Sequence, residues 1–393
     1  MAPGSSVKSS KTSSKKHPAA KQKPGNDRKS KTQALSTEGA FSSVIPLELQ
    51  QLLLNIFRNS FPERFGSDLT PLLQGVKQHL YNRDFGRAFG REDYLEAYAV
   101  RWSPSRALGY LQIFLDIEQY LRKIPNKNHD DAQTFSFESL GTPSGRQKLN
   151  ITCLGGGAGA EIVALAGFLD LRNRGLRKDR EDGGDPQHAT PNDLQFTVKS
   201  VDIADWDSVV QKLLNSIISP PPLSKYASAA AKAANTAFLD STLFQTTFHQ
   251  ADLLGISTES LQALVGDAEL VTLMFTLNEL YTTSRPKTQR FLASLTSTLQ
   301  PGALLLVVDS PGSYSTVTLN GAEKKYPMHW LLDHTLLGSV HDEESSTVET
   351  RHWEKLSTDE SRWFRLPDGL KYPIELENMR YQIHLYRRLP QES

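Results

Sequence analysis

The fold of this chain is decided by residues 151–161, which read Ile151-Thr152-Cys153-Leu154-Gly155-Gly156-Gly157-Ala158-Gly159-Ala160-Glu161. An apolar segment typical of a buried strand leads into four glycines, and an apolar, helix-compatible run follows at 162–169. Glycine leaves the backbone bare, so a ligand can lie against the turn while a helix begins beside it. The pattern predicts a cradle for an adenosine-containing cofactor. An ordinary tight turn is the alternative, since a glycine-rich turn alone is weakly specific.

Strand and helix patterns alternate after this turn, an order that favours a parallel sheet covered by helices. Five core strands are predicted, at Asn150 to Leu154, Phe196 to Asp202, Thr246 to Asp252, Leu270 to Thr276 and Ala303 to Asp309. A sixth and a seventh strand are predicted near Ser345 to Leu356 and Tyr381 to Arg388, as a half-exposed terminal hairpin. Residues 148–393 therefore form one predicted α/β domain with a seven-stranded sheet.

Two insertions interrupt the predicted order of strands and helices. The first, Asn173 to Asp193, is charged and rich in glycine. The second begins with a proline-rich spacer at 219–222 and continues into one extra, alanine-rich helix within Tyr226 to Phe238.

The chain before the sheet has two predicted parts. Residues 1–40 are of low complexity and contain almost nothing to bury, so they are predicted to be disordered. From Pro46 to Ile124 apolar residues recur at helical spacing, and 126–147 is polar and rich in glycine and proline. Residues 41–147 are therefore predicted to form a helical N-terminal subdomain followed by a linker.

The neutral net charge of the 393 residues conceals an asymmetry. Residues 1–36 carry nine Lys or Arg and one Asp, a net charge of +8, so the remainder carries −8. Such an arm is typical of polyanion binding or nuclear targeting, and a solvated tail without a partner is the alternative.

Composition excludes several classes of protein. The basic arm lacks the apolar core of a secretory signal, and no run approaches the length of a membrane-spanning helix, so a soluble protein without a membrane partner is predicted. The single cysteine, Cys153, cannot form an internal disulfide, which fits a reducing compartment. The ten histidines show no metal-ligand spacing, so no metal is predicted.

Polar residues follow the first three strands at the edge where ligands of open parallel sheets bind. Asp202 can accept hydrogen bonds from both ribose hydroxyls, and Asp252 can accept from an adenine amino group while Leu253 packs on the ring. With Gly155, Gly157 and Gly159 they are the predicted cofactor-binding residues. For both aspartates a helix or turn cap is the alternative role.

The fourth strand ends in Asn278-Glu279-Leu280-Tyr281, where the reacting group is expected. Asn278 offers a donor and an acceptor to a base edge, Glu279 a carboxylate and Tyr281 a stacking face. The alternative is that Asn278 and Glu279 only cap the next helix. The turn that begins at Asp309 lies on the same rim and could shape the substrate mouth.

Arginines and aromatic residues are interleaved between Tyr81 and Tyr110. Cations for phosphates and flat rings for unstacked bases suit single-stranded RNA, and Arg101 and Trp102 are the predicted substrate-binding residues in this segment. Amphipathic helices with solvated arginines explain the same pattern.

Four segments together resemble class I S-adenosylmethionine-dependent methyltransferases: 154–159, 201–203, 250–253 and 275–280. With 98–107 added, the chain is similar to the fungal large-subunit ribosomal RNA uridine-N3 methyltransferases over about Val44 to Leu389. The resemblance implies a Rossmann-like, seven-stranded sheet with an N-terminal helical extension. It also implies S-adenosylmethionine as cofactor and ribosomal RNA or a pre-ribosomal particle as partner. A nuclear or nucleolar location is expected, with a cytoplasmic pool equally compatible.

The chain departs from the resemblance at one position. Class I enzymes usually have an acidic residue two positions before the first glycine, in contact with the amino acid end of the cofactor, where this chain has Cys153. Glu161 or a residue within Tyr98 to Arg106 could replace it.

The resemblance implies transfer of the sulfonium methyl group to a uracil ring nitrogen. Glu279 is the candidate acceptor of the N3 proton, and Asn278 the candidate partner of a uracil carbonyl. Three alternatives remain: a nicotinamide-dependent oxidoreductase, since Gly155, Gly157 and Ala160 also fit its fingerprint; a methyltransferase of a protein or small molecule; and a non-catalytic ribosome-assembly factor that binds RNA.

Overall fold

The structure is a computed structural model that describes residues 45–122, 148–181, 194–312, 314–319, 322–338 and 351–390. The predicted basic arm and the predicted linker lie outside these residues. The helices before the sheet are α1 (Leu47–Ser60), α2 (Leu69–Tyr81), α3 (Phe85–Ala88), α4 (Glu92–Asp116) and α5 (Glu118–Leu121). Those that follow are α6 (Ala160–Glu181), α7 (Asp207–Ile218), α8 (Ala229–Ala233), α9 (Thr258–Val265), α10 (Leu277–Thr298) and α11 (Met328–Leu337).

The strands form one large sheet and one separate hairpin. Those of the sheet are β1 (Lys148–Leu154), β2 (Gln195–Asp202), β3 (Phe244–Gln250), β4 (Leu270–Met274), β5 (Leu304–Asp309), β8 (Trp353–Phe364) and β9 (Met379–Arg388). Between β5 and β8 in the chain, β6 (Tyr314–Leu319) and β7 (Ala322–Pro327) pair with each other.

The strand order is β3-β2-β1-β4-β5-β9-β8. The first five strands are parallel, and β9 is antiparallel to both of its neighbours. The order reverses between β1 and β4, which makes the carboxyl ends of these two strands the expected ligand crevice. The predicted fold class, a Rossmann-like sheet of seven strands with N-terminal helices, is confirmed.

Two apolar cores cover the two faces of the sheet. One contains residues of α1, α4, α6 and α7, with Phe57, Phe114 and Phe168 among its largest buried side chains. The other contains residues of α9, α10 and α11. Strands β4 and β5 contribute alternate residues to both cores, which explains why they read as continuous apolar runs. The N-terminal helices therefore share a core with the sheet.

Strand boundaries were predicted best where the strand is buried on both faces. The third strand was placed two residues too late: β3 begins at Phe244, and the Asp252 carboxylate accepts the Leu254 N–H at 2.9 Å in the turn beyond the strand. The sixth strand was predicted too early, since β8 runs on to Phe364 through charged residues that hide its alternation.

The insertions also differ from prediction. Helix α6 continues to Glu181, and the side-chain amide of Asn173 bonds both the N–H and the carbonyl of Leu194 at 3.1 and 3.3 Å. Asn173 thus joins α6 to β2 instead of beginning a loop. The extra helix is confined to Ala229–Ala233, and the β6–β7 hairpin and α11 were not predicted.

Candidate active site

The glycine turn between β1 and α6 is packed closely against its protein neighbours. Gly155 and Gly159 have φ angles of +82° and +80°, a region that favours glycine. A Cβ on Gly155 would lie 2.2 Å from Thr276 Oγ1, and one on Gly157 would lie 2.2 Å from Trp206 Cδ1. The turn therefore needs glycine to approach both the end of β4 and the start of α7.

Asp202 closes the next strand directly beside this turn. Its Oδ2 accepts the Gly157 N–H at 3.2 Å and its Oδ1 accepts the Ala204 N–H at 3.3 Å. Burial raises the pKa of the Asp202 carboxyl, against these backbone hydrogen bonds. Ile203 follows with 59% of its surface exposed. A carboxylate and an exposed apolar side chain thus stand together beside the glycine turn.

Asp252 and Leu253 were both predicted to contact the adenine ring, but only Asp252 lies at the candidate site. Asp252 lines a cavity of about 590 Å³ beyond the end of β3, together with His249, Gly255 and Ser257. Leu253 is 6% exposed and belongs to the core that α9, α10 and α11 cover. Its side chain therefore packs in the core and is not available to an adenine ring, contrary to prediction.

The turn after β4 is strained and leads into α10. Phe275 has a φ of +59°, which is uncommon for a residue with a side chain and is often found at functional sites. The Asn278 N–H donates to Asp309 Oδ2 at 2.9 Å, and the Ser310 N–H donates to Asp309 Oδ1 at 2.8 Å. Burial raises the pKa of Asp309 to about 6. Asp309 thereby ties the first turn of α10 to the end of β5.

The three residues predicted around α10 lie in different surroundings. Asn278 lies in the first turn of the helix, next to Asp309. Glu279 is 45% exposed and its Oε2 lies 3.6 Å from Arg83 Nη1. Tyr281 is 3% exposed and packs within the core. No substrate base can stack on its buried ring, contrary to prediction.

Helix α4 reaches over the crevice between β1 and β4. Ser103 Oγ donates to the carbonyl of Ala158 in the glycine turn at 2.7 Å. The Arg106 guanidinium carbon lies 5.0 Å from the centre of the Phe275 ring, and its Nη1 donates to Tyr98 Oη at 3.0 Å. Among the described residues, no carboxylate forms an ion pair with Arg106 within 4 Å. Arg106 is therefore a cation at the crevice that interacts with the Asp309 and Glu161 carboxyl groups only at longer range.

The predicted substrate residues of α4 take different positions. Arg101 has only 12% of its side chain exposed, pairs with Glu377 and donates to the carbonyl of Glu375 at 3.3 Å. It fastens the segment before β9 to α4 and does not face a substrate, contrary to prediction. Trp102 is partly buried, and its ring centre lies 4.7 Å from that of Tyr98.

The Glu161 carboxyl group lies beside Cys153, the position at which class I enzymes usually have an acidic residue. Its Oε1 accepts from Thr272 Oγ1 at 2.5 Å, and its Oε2 would lie 2.6 Å from a Cβ on Gly156. Cys153 is fully buried beside it, and burial raises the pKa of the thiol. Burial also raises the pKa of Glu161 to about 7. A carboxyl group therefore lies directly beneath the turn although the sequence has Cys153.

Sequence reasoning identified the rim but underestimated three of its groups. From the sequence, Arg106 was only one of several arginines before the sheet, and Asp309 was only part of a turn. Glu161 was named only as a possible replacement for the acid that is absent at Cys153. The aromatic spacing from Tyr98 to Tyr110 could have singled out Arg106, because it shares a helix face with Tyr110, whose ring lies 6.3 Å from Phe275.

Other classes of site are not indicated in the described residues. No three His, Cys, Asp or Glu side chains are grouped there as metal ligands would be. No helix in this part of the chain combines the length and apolar character needed to cross a membrane.

A seven-stranded sheet with this order, a glycine turn at the switch point and an acidic residue at the end of β2 define a class I methyltransferase site. The chain belongs to the SAM-dependent methyltransferase family, whose model matches residues 57–387. A curated relative, the 25S rRNA (uridine(2843)-N(3))-methyltransferase of Saccharomyces cerevisiae, is 34% identical over 351 residues, 86% of this chain and 85% of its own.

Solved structures give weaker similarities. A SAM-dependent methyltransferase from Methanosarcina mazei is 10% identical, with 63% of this chain and 96% of that chain covered and a TM-score of 0.33. An O-methyltransferase family protein from Burkholderia thailandensis is 12% identical, with 86% and 73% covered and a TM-score of 0.34. The fold assignment rests on the strand order of the sheet.

Proposed function

We propose that this enzyme methylates N3 of a uridine in large-subunit ribosomal RNA. The observation that carries the proposal is the 34% identity to the yeast 25S rRNA uridine-N3 methyltransferase, which extends over most of both chains. Free RNA or an assembling ribosomal particle is the proposed partner, and the nucleus or nucleolus the proposed location.

The residues around the glycine turn fit the cofactor of the family. Gly155, Gly157 and Gly159 have no side chains, so the cofactor can approach the backbone of the turn closely. Asp202 offers a carboxylate to the ribose hydroxyls. Asp252 is proposed to accept from the adenine amino group, at the cavity beyond β3. When bound, S-adenosylmethionine supplies a methyl group activated by its sulfonium charge.

Arg106 is proposed to hold the carboxylate at the amino acid end of the cofactor. Its guanidinium lies over Phe275 at the β1–β4 crevice, and no carboxylate of the described residues forms an ion pair with it within 4 Å. An Arg guanidinium and a carboxylate match in geometry as well as in charge. This contact would compensate in part for the departure at Cys153.

The proposed target base enters near the first turn of α10. Asn278 is proposed to bond a uracil carbonyl, and Glu279 to accept the N3 proton, since its carboxylate is exposed at the rim. Removal of the N3 proton by Glu279 would prepare this nitrogen for the methyl group that the cofactor would supply when bound. Holding the reacting atoms in line supplies a proximity effect worth up to roughly 7 to 11 kcal/mol.

The test is transfer of labelled methyl from S-adenosylmethionine to total RNA from cells that lack the protein, followed by nucleoside analysis. Label in 3-methyluridine of large-subunit RNA supports the proposal, whereas label in another nucleoside or in protein overturns it. Asn278→Ala is expected to lower turnover strongly, and unchanged turnover would remove Asn278 from the mechanism.

A matched pair of variants tests the cofactor contact of Asp202. Asp202→Ala is expected to weaken binding of S-adenosylhomocysteine by roughly 10-fold or more, because the variant has no charged acceptor for the two ribose hydroxyls. Asp205→Ala, an exposed aspartate in the same loop, is the control and should bind as the wild type does. Equal weakening in both variants would indicate damage to the loop instead.

A further inference from the structure

An exposed indole ring with two guanidinium groups beside it stands on β8, at one edge of the sheet. Trp363 is 50% exposed, and the guanidinium carbons of Arg365 and Arg380 lie 5.0 and 5.7 Å from its ring centre. In the described part of the chain neither arginine forms an ion pair, and Arg380 donates to Ser361 Oγ at 2.9 and 3.0 Å. Both positive charges are therefore available to a ligand.

The acidic side chains of the same strand lie beside other basic side chains, two arginines and a histidine. Glu354 lies 3.2 Å from Arg387, Asp359 lies 3.1 Å from Arg362, and Glu360 lies 3.6 Å from His329. These carboxylates therefore do not neutralise the two arginines beside Trp363.

Strand register places Trp363 at the rim of the candidate active site. Asp309 pairs with Gln382 of β9, and Arg380, two residues earlier on β9, pairs with Trp363. Residues two apart on a strand point to the same face, so these four side chains share one face of the sheet. Two strand spacings of about 4.8 Å and two residues of about 3.4 Å separate the Cα atoms of Asp309 and Trp363 by roughly 12 Å.

We infer that Trp363, Arg365 and Arg380 form a platform that stacks an unpaired base and contacts a phosphate of the RNA beside the target nucleotide. The inference rests on the proposed function, which supplies RNA as the substrate class. An indole face stacks with any base, and guanidinium groups bind phosphates or stack in turn.

The local charge of the platform favours RNA as its occupant, although the rest of the body is acidic. Outside residues 1–36 the chain carries a net charge of −8, so a polyanion meets an acidic body. Guanidinium groups that have no counter-ion among the described residues are the places where such a body can hold phosphates. The platform lies at the same edge of the sheet as Asp309. A neighbouring nucleotide of the same RNA strand can therefore reach it while the target base is in the site.

The platform is tested by fluorescence anisotropy with a short, labelled single-stranded RNA of mixed sequence and the full-length protein. Trp363→Ala is expected to weaken RNA binding by roughly 5- to 150-fold, since a stacked base is worth about 1–3 kcal/mol. Trp363→Phe, which keeps a stacking face, should restore most of the affinity. Arg380→Ala should lower the slope of log K against log salt by about 0.7, the value for one phosphate of single-stranded RNA.

Controls separate RNA binding from folding. Arg387→Ala lies at the far end of β9, where the partner of Arg387 is Glu354, and should bind RNA as the wild type does. Every variant should bind S-adenosylhomocysteine with unchanged affinity, which reports an intact fold. RNA binding by Trp363→Ala equal to that of the wild type, or equal weakening in Arg387→Ala, would overturn the inference.

The test also separates the platform from the proposed reaction. Weaker RNA binding by Trp363→Ala in a protein that forms no 3-methyluridine would keep the platform and reject the reaction. Formation of 3-methyluridine together with unchanged RNA binding by Trp363→Ala would keep the reaction and reject the platform.

Discussion

Glu161 is a carboxyl group whose burial makes stability depend on pH. Its pKa is raised from 4.5 to about 7, chiefly by burial away from solvent. Between these values the unfolded chain has released a proton that the folded chain keeps, so the free energy of unfolding falls as pH rises. The stability contribution is fully present below about pH 4.5 and is gone by about pH 7, a decrease on the order of 3 kcal/mol.

Glu161→Gln is therefore expected to be more stable than the wild type at pH 8 and to show little gain at pH 4.5. The glutamine still accepts from Thr272, and no charge has to be buried. Urea unfolding of the cofactor-free protein at both pH values measures the difference. Glu63→Gln, an exposed carboxyl, should follow the wild type, and an equal gain at both pH values would contradict the assignment.

Arg106 is expected to bind the carboxylate of the cofactor and no other part of it. Arg106→Gln should weaken binding of S-adenosylhomocysteine by roughly 10- to 150-fold, as for removal of a charged hydrogen bond worth about 1.5–3 kcal/mol. It should leave 5′-methylthioadenosine, which lacks the amino acid part, nearly unaffected in calorimetry.

The matched control for Arg106 is Arg91→Gln, an exposed arginine that pairs with Asp93 just before the same helix. It should bind both nucleosides as the wild type does. Equal weakening of both nucleosides by Arg106→Gln would assign that arginine to the shape of the crevice instead of to the carboxylate.

At the scale of elements, α4 joins distant parts of the chain. It contacts the glycine turn through Ser103 and holds the segment before β9 through Arg101 and Glu377. Pro104 lies inside the helix and is buried, next to the serine that bonds the turn. The helix thus links the cofactor crevice to the strands at the opposite end of the sheet.

Arg101→Ala is expected to lower stability by about 1 kcal/mol and to leave RNA affinity unchanged, because its partner is within the protein. A double-mutant cycle with Glu377→Ala should show that the two effects on stability are not additive. Reduced RNA binding with unchanged thermal stability would restore the substrate role that the sequence predicted.

At the scale of the whole molecule, patterns of burial were easier to predict than the directions of side chains. Strands β1, β2, β4 and β5 are apolar runs between recognisable turns, so their positions were predicted within about two residues. Strand β8 was misplaced because charged residues along its exposed face hide the alternation of apolar and polar residues.

At the candidate site too, the contacts of side chains were harder to predict than their positions along the chain. The position of Asp202 at the end of a strand was enough to place it at the rim, where its carboxylate accepts the Gly157 N–H; its contact with the cofactor stays a prediction. Tyr281 and Arg101 were assigned to the substrate because an aromatic ring or a guanidinium in the sequence does not reveal which neighbour it meets. Helix packing directs the first into the core and the second to Glu377.

The opposite charges of the arm and the body lead to a prediction for the whole chain. Deletion of residues 1–36 is expected to weaken RNA binding and to lower the slope of log K against log salt, by about 0.7 for each phosphate of single-stranded RNA that the arm binds. Affinity for S-adenosylhomocysteine should not change. A salt dependence identical to that of the full chain would identify the arm as a solvated tail.

Strand β9 follows the other strands of the sheet in sequence, yet it lies between β5 and β8. During synthesis on the ribosome, one edge of β5 therefore stays unpaired until β9 emerges. Until then, Gly109 of α4 also lacks its close contact with Met379. Contacts between segments so far apart in sequence are slow to form. The nascent chain can close its sheet only after β9 has left the exit tunnel, so the sheet is completed after most of the protein has been translated.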